Sequence, residues 1–498
     1  MEYKHEQVNY KNTICKETKE HAFEMQINLP DYYPDVCRVL LCTVKPYTDS
    51  CLCEGDRINV DGLAVVRVLY ASDDSSLHIY ESEQRYNKTF QCHATQTTPI
   101  VDCSQKIASV HYRVISPRRM EIKAAVAIQC TLSEICEMKS FDEENISIEI
   151  LTKEQEIFNI TSMYSGNFTL EDSYAMKDER LLNAKTVQET IHFQCQEIKT
   201  VKDKVLLKGN ILLSLLMLVE NEKVFIKHSE SIPFAQVLEV YGVEEDDAAE
   251  CILTVNKPTF SFDDKHECKY CLPIAVHLIA GKKQIISVVH DMYSCKQDIE
   301  KVCTTNRFAL SVHKLSDTCF CSTQAEKTEE QEMSFLHAIV NSITYETSLI
   351  NEKLCVEGIV NINLIFSSDE GLRCYSRAVP FDYNREMHDR ILGEVVCTVL
   401  CDEISCVRNS DSYSVKLALR IDGYLLEQED IDYVESFSMI DKTDSSSENG
   451  LISVYYAENG ERVWDIAKNN RVPLHALKEL NELQSDCVEE KKILLLMK

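Results

Sequence analysis

The residues best equipped for chemistry in this chain are its cysteines. Cys268 and Cys271 form a Cys-x-x-Cys pair with His266 close by, and Cys51 with Cys53 and Cys319 with Cys321 form Cys-x-Cys pairs. Soft thiolate and imidazole donors at such spacings can hold zinc, which takes four ligands at about 2.0–2.3 Å. One pair has the favoured spacing and no second Cys-x-x-Cys complements it, so the spacing predicts no metal site and no cofactor. There are 23 cysteines. In a long chain kept in a reducing compartment most of them are expected to serve as small buried hydrophobes, with any exposed thiols open to later crosslinking.

The other chemistry-bearing residues suggest no catalyst. Glu244, Glu245, Asp246 and Asp247 form a charge run that reads as a solvated face. The chain has no Gly-rich phosphate loop ending in Lys-Ser or Lys-Thr, no His-Glu-x-x-His and no Gly-x-Ser-x-Gly. No catalytic residue is assigned and a non-enzyme is expected. The formal charge of -29, from 81 acidic against 52 basic residues, repels phosphate backbones and anionic headgroups, so no nucleic-acid partner is expected and a membrane is met only indirectly. The polar opening MEYKHEQVNYKNTICKETKE has no apolar signal core, which predicts a cytoplasmic address.

These residues must be carried by elements, and the elements repeat. INVDGLAVVRVLYASDDSSLHIY (58 to 80), VLLKGNILLSLLMLVENEKVFIK (205 to 227) and LCVEGIVNINLIFSSDEGLRCYS (354 to 376) each place a glycine before an apolar run, then an acidic or Ser-rich turn and a second apolar stretch. Gly62, Gly209 and Gly358 lie 147 and 149 residues apart, and each copy is followed by a second echo, KAAVAI (123 to 128), LPIAVHL (272 to 278) and KLALRI (416 to 421). Alternation and β-branched content predict antiparallel hairpins with one buried face. A glycine inside such a strand marks a bulge or a close backbone approach. The run ILLSLLMLV (211 to 219) is too short to span a membrane and reads as a strand. The organisation expected is a divergent first β domain over 1–145, a second over 146–315, a third over 316–438, a flexible linker over 439–450 and a small unit over 451–498. A two-repeat chain behind a distinct first domain is the alternative.

The linker MIDKTDSSSENG would have a reach of roughly 19 Å, letting the last unit sample a hemisphere around the body. In that unit ISVYY (452 to 456) and KILLLM (492 to 497) read as strands. Between them Val463, Ile466 and Ala467 set one short helix, and Leu474, Leu477 and Leu480 a second that starts behind Pro473.

The stretch YYAENGERVWDIAKNNRVPLHALKELNEL resembles the LysM domain at Gly460, Trp464, Ile466, Ala467, Val472, Leu477, Leu480, Asn481 and Leu483. Val463, Trp464, Ile466, Leu477 and Leu480 are expected in its core. LysM domains bind N-acetylglucosamine polymers in a groove between two loops, but here Glu461 and Arg462 stand where the family has Asp-Thr, and CVEEKK (487 to 492) replaces the usual Pro-Gly loop. The repeats are similar to SPOCS spore-coat domains, and INLPDYYPDVCRVL (27 to 40) resembles how those proteins begin. The whole order resembles the SipL-like family of spore-coat morphogenetic proteins. That resemblance implies mainly β, SPOCS-like antiparallel domains with a small C-terminal βααβ LysM domain. It also implies an adapter, in the mother-cell cytoplasm at the forespore surface, that binds the coat ATPase SpoIVA and recruits other coat proteins. Glu461, Arg462, Glu489, Glu490, Lys491 and Lys492 are then the candidate partner contacts. Binding of peptidoglycan or an N-acetylglucosamine polymer is the alternative, and self-association stays open.

Overall fold

The computed structural model describes residues 8–92, 99–138, 148–176, 178–220, 224–262, 267–326, 334–350, 353–368, 371–387, 392–409, 412–440 and 452–497. They form a mainly β protein of several antiparallel sheets. The first unit holds β1 (Asn9–Asn28), β2 (Arg38–Glu54), β3 (Arg57–Ala71), β4 (Leu77–Gln91), β5 (Ile100–Ser116) and β6 (Arg119–Glu137). They make two three-stranded sheets, β1-β6-β5 and β2-β3-β4. Alternate residues of β6 (Ile122, Ala124, Val126, Ile128) point into one core with Val60, Ala64, Val66 and Val68 of β3. Period-two apolar patterning on both central strands is what closes this sandwich.

The same order recurs twice. β7 (Ile148–Ala175), β8 (Lys185–Val201), β9 (Lys204–Val219), β10 (Val224–Glu239), β11 (Ala248–Val255), β12 (Thr259–Phe262) and β13 (Glu267–Ser294) form the second unit. β14 (Asp298–Glu326), β15 (Ser334–Ile350), β16 (Lys353–Ser368), β17 (Gly371–Glu386), β18 (Leu392–Arg408) and β19 (Ser412–Ile440) form the third. In every unit the second, third and fourth strands make a meander, and the last strand returns to pair with the first. β14 runs through position 316, and it pairs with β19 along its whole length from Asp298↔Ile440 to Glu326↔Ser412. Met439 and Ile440, read as linker, are the last residues of β19; the rest of the linker, 441–450, lies outside the described residues.

Gly62, Gly209 and Gly358 occupy the central strand of each meander, and Tyr86, Phe234 and Phe381 stand directly across the register from them. A Cβ at Gly62 or Gly358 would overlap the opposing ring, and one at Gly209 would overlap the Gln194 carbonyl. At Gly62 and Gly358 the aromatic ring thus covers the bare backbone, a pairing that pins register. The close backbone approach expected of these glycines is a packing device.

Seven residues beyond each glycine lies the position that joins the units. Leu69, Leu216 and Ile365 are buried together with Leu41, Leu77, Val187 and Ile339 in a core to which all three meanders contribute. Each pairs with a residue that directly follows a β-bulge, at Val39/Leu41, Thr186/Gln188 and Phe335/His337. Bulges bend the strand locally, so the three edges turn toward one another at equivalent points. A second shared core gathers Val8, Ile157, Val288, Phe308 and Ile431. Full burial of each such side chain contributes about 1.5–3 kcal/mol. Between the units Glu189 lies buried, bound by Arg67 at 2.8 Å, Lys45 at 3.2 Å and Tyr47 at 3.2 Å, which ties the second unit to the first.

Candidate functional site

The C-terminal residues run β20 (Ile452–Ala457), α1 (Val463–Asn470), α2 (Leu474–Leu480) and β21 (Lys492–Met497). The turn into α1 depends on Gly460 at φ +87°, a left-handed conformation that an L side chain adopts only with strain. Val463, Trp464, Ile466, Ala467, Val472, Leu477, Val488, Leu494 and Leu496 are buried together. Asn481 is buried, and its side chain donates to the Leu477 and Leu495 carbonyls and accepts from the Leu495 amide at 2.7 Å, stitching the end of α2 to β21. Leu480 departs from expectation: it is 42 % exposed. A seven-residue helix turns one residue in three or four inward, and Leu477 fills that place.

Trp464 does more than fill this small core. It is 6 % exposed, and its indole N–H donates to Asp291, near the end of β13, at 2.9 Å. Lys468 donates to the same carboxylate at 2.6 Å, and Lys301 of β14 also binds it. Burial alone would raise the Asp291 pKa, but the Lys301, Lys468 and Trp464 donors outweigh it and hold it down at about 2. Tyr293 packs edge-on against the Trp464 ring at 5.0 Å and donates its hydroxyl to the Val472 carbonyl at 2.7 Å. Arg471 binds Asp298. The unit is therefore docked on the second and third units through α1, which corrects the expectation of a tethered unit sampling a hemisphere. The sequence shows the linker's composition but not the Asp291 acceptor, which lies 173 residues upstream of Trp464.

The six charges expected to meet a partner sit on the two loops beside β20 and β21. Arg462, Glu489, Glu490, Lys491 and Lys492 are exposed and Glu461 is half-buried. These loops are bound to each other: Gly460 N–H donates to the Val488 carbonyl at 2.8 Å, Val488 N–H to the Glu461 carbonyl at 2.9 Å, and Lys491 pairs with Glu458 at 2.9 Å. Glu461 also accepts from the Glu458 amide, and Lys492 donates to the Asn481 carbonyl. The Gly460 and Val488 amides are thus engaged in closing the two loops against each other.

The outer face of the β20–β21 ribbon was missed in the sequence reading. Ile452, Val454 and Tyr456 alternate along β20, and each stands across the register from Met497, Leu495 and Ile493 respectively. All six are exposed, Tyr456 by 75 % and Ile452 by 63 %. Six large apolar side chains in three adjacent cross-strand pairs form one continuous patch, the kind of surface that marks an interaction site. The available signal was KILLLM itself, because a run with no polar alternation gives a strand two apolar faces and only one meets the core.

Elsewhere the singled-out residues separate. Cys268 is buried beside Tyr174, whereas the Cys271 thiol donates to Glu171 at 3.3 Å. On a strand, positions three apart face opposite sides, so this Cys-x-x-Cys cannot converge on one ion. His266 lies outside the described residues. In the acidic run Glu244, Glu245 and Asp246 are exposed, but Asp247 is buried and accepts from Thr161 at 2.7 Å and the Glu244 amide at 3.0 Å; it closes a loop rather than facing solvent. No helix among the described residues is long and apolar enough to cross a membrane. Comparison of the chain with protein-family models, with curated proteins and with solved structures finds no match.

Proposed function

We propose that this chain is a non-enzymatic adapter of the SipL-like spore-coat morphogenetic kind, with three SPOCS-type β units and a C-terminal LysM-type unit. It would work in the mother-cell cytoplasm, holding the coat ATPase SpoIVA at the forespore surface and gathering other coat proteins. The observation that carries this reading is the six-residue apolar face of β20 and β21, presented outward by a unit that α1 anchors to the body. Such a patch supplies affinity by apolar burial, while the charged loops beside it add orientation and salt dependence. The pairing of the two loops through Gly460 and Val488 favours a protein contact over a glycan groove. Resemblance supplies the identity of the partner, and the patch supplies the surface.

The test uses the full chain and SpoIVA. Val454→Asp combined with Leu495→Asp places two carboxylates in the centre of the face without touching the core. Circular dichroism should match wild type and co-purification with SpoIVA should fall at least about tenfold, the scale of one lost apolar contact of about 1.4 kcal/mol. Chitin beads should retain neither protein. A folded double variant that binds SpoIVA like wild type would sink the assignment, and retention of wild type on chitin would favour the glycan reading.

A further inference from the structure

The first unit brings together three cysteines that the sequence keeps far apart. Cys103 on β5 and Cys130 on β6 stand directly across the register from each other, and Cys51 reaches them from β2 in the facing sheet. The three sulfurs all lie within 4.8 Å of one another, with Cys103 and Cys130 at 3.9 Å. At a metal–sulfur distance of roughly 2.3 Å, neighbouring sulfurs sit about 3.8 Å apart in a tetrahedral site and about 4.0 Å apart in a trigonal one. The Cys103–Cys130 separation of 3.9 Å already matches that demand, and Cys51 lies within 4.8 Å of both.

Polar neighbours hold the cluster in place: Cys103 is hydrogen-bonded by the Cys130 and Cys51 thiols and by Thr48 and Gln105. Gln105 is itself fixed: its amide donates to Thr48 at 3.0 Å and its carbonyl oxygen accepts from the Tyr86 hydroxyl. Supporting hydrogen bonds of this sort orient ligating groups. Cys130 is buried and the other two are half-buried.

We propose that Cys51, Cys103 and Cys130 form a three-thiolate site for a soft metal ion, with Cu(I) the ion that fits it best. Soft sulfur donors select Cu(I) and zinc among biological cations. Structural zinc takes four protein ligands, and among the described residues no fourth His, Cys, Asp or Glu atom joins this cluster. The absence of metal expected from spacing rested on local motifs. This site is assembled instead by strand register and sheet packing. Binding releases the thiol protons to solvent and changes no oxidation state.

The test titrates the reduced full-length protein anaerobically with Cu(I) against a chromogenic chelator, with Cd2+ as a second probe read by thiolate-to-metal absorption. The first equivalent should bind stoichiometrically and show a sulfur-only shell of three neighbours by X-ray absorption. Cys51→Ser and Cys103→Ser should each weaken it by more than about tenfold, the scale of losing even a supporting contact. Cys271→Ser and Cys374→Ser should leave it unchanged. Since Cys130→Ser alters a buried position, circular dichroism accompanies each variant, and the half-buried Cys51 and Cys103 variants decide the matter. A first equivalent held as tightly after Cys103→Ser would overturn the site. So would its equal loss on Cys53→Ser, because Cys53 pairs instead with Cys92 at 3.8 Å. Recovery of Cys103 and Cys130 as a disulfide in protein isolated under reducing conditions would also overturn it.

Discussion

Replacing Asp291 by Ala should undock the C-terminal unit while leaving both bodies folded. The carboxylate receives three donors, of which Trp464 and Lys468 come from the C-terminal unit and Lys301 from the third β unit. The indole N–H is buried and would be stranded, at a cost of about 1.5–3 kcal/mol for a bond to a charged acceptor. Lys468 is one-third exposed at its side chain and regains water, so its share is nearer the surface-pair scale of about 0.5–1 kcal/mol. Together about 2–4 kcal/mol leaves the docking equilibrium, a shift of roughly 30- to 1000-fold. The assay is built in, because Trp464 is the only tryptophan. Emission should move to longer wavelength and acrylamide quenching should rise, with far-UV circular dichroism unchanged. Asp291→Asn keeps an acceptor for the indole and should fall between the two. In the wild type the folded pKa lies below the ordinary carboxylate value, so this contribution is complete above pH of about 4 and fades as pH drops through about 2. If Asp291→Ala and wild type show the same emission and quenching, the carboxylate does not hold the unit and the reasoning fails.

Leu216→Ala should cost about 2–5 kcal/mol in denaturant unfolding, and combining it with Leu69→Ala should give a non-additive sum because both line the core shared by the meanders; a loss below about 1 kcal/mol would contradict that core. Glu189→Ala should cost about 3–5 kcal/mol by leaving Arg67 and Lys45 without their buried acceptor. Although burial opposes it, Lys45 and Arg67 hold the Glu189 pKa at about 2. Its stabilisation is therefore present above the usual glutamate range and lost as pH falls toward that value, which a pH series of wild type against Glu189→Ala checks.

The sequence made the strands legible because alternation survives in a single chain: the run at 211 to 219 lies within β9, and the three glycine-led segments lie on equivalent strands. It also carried the aromatic partners of the glycines, although register had to be known before Tyr86, Phe234 and Phe381 could be matched. What spacing could not reveal was anything built across strands. Cys268 and Cys271 stood out as the pair with favoured ligand spacing because only two residues separate them on paper, yet a strand sends them to opposite faces. Cys51, Cys103 and Cys130 looked unrelated, yet pairing and sheet packing join them. The contact surface followed the same rule. Charges in loops drew attention because polar residues stand out in a sequence, whereas the apolar face of β20 and β21 was hidden inside strings read simply as strands.

The core shared by the three meanders has a consequence in time. Leu69 leaves the ribosome long before Ile365, and at ordinary synthesis rates of about 5–20 residues per second the interval is roughly 15–60 s. Until about halfway through it the first meander holds Leu41, Leu69 and Leu77 with no Leu216 to cover them, and Ile365 arrives only at its end. A nascent chain with such a waiting apolar edge is a natural client for a chaperone. Slower translation of the third unit would lengthen that exposure without changing a single contact of the finished protein.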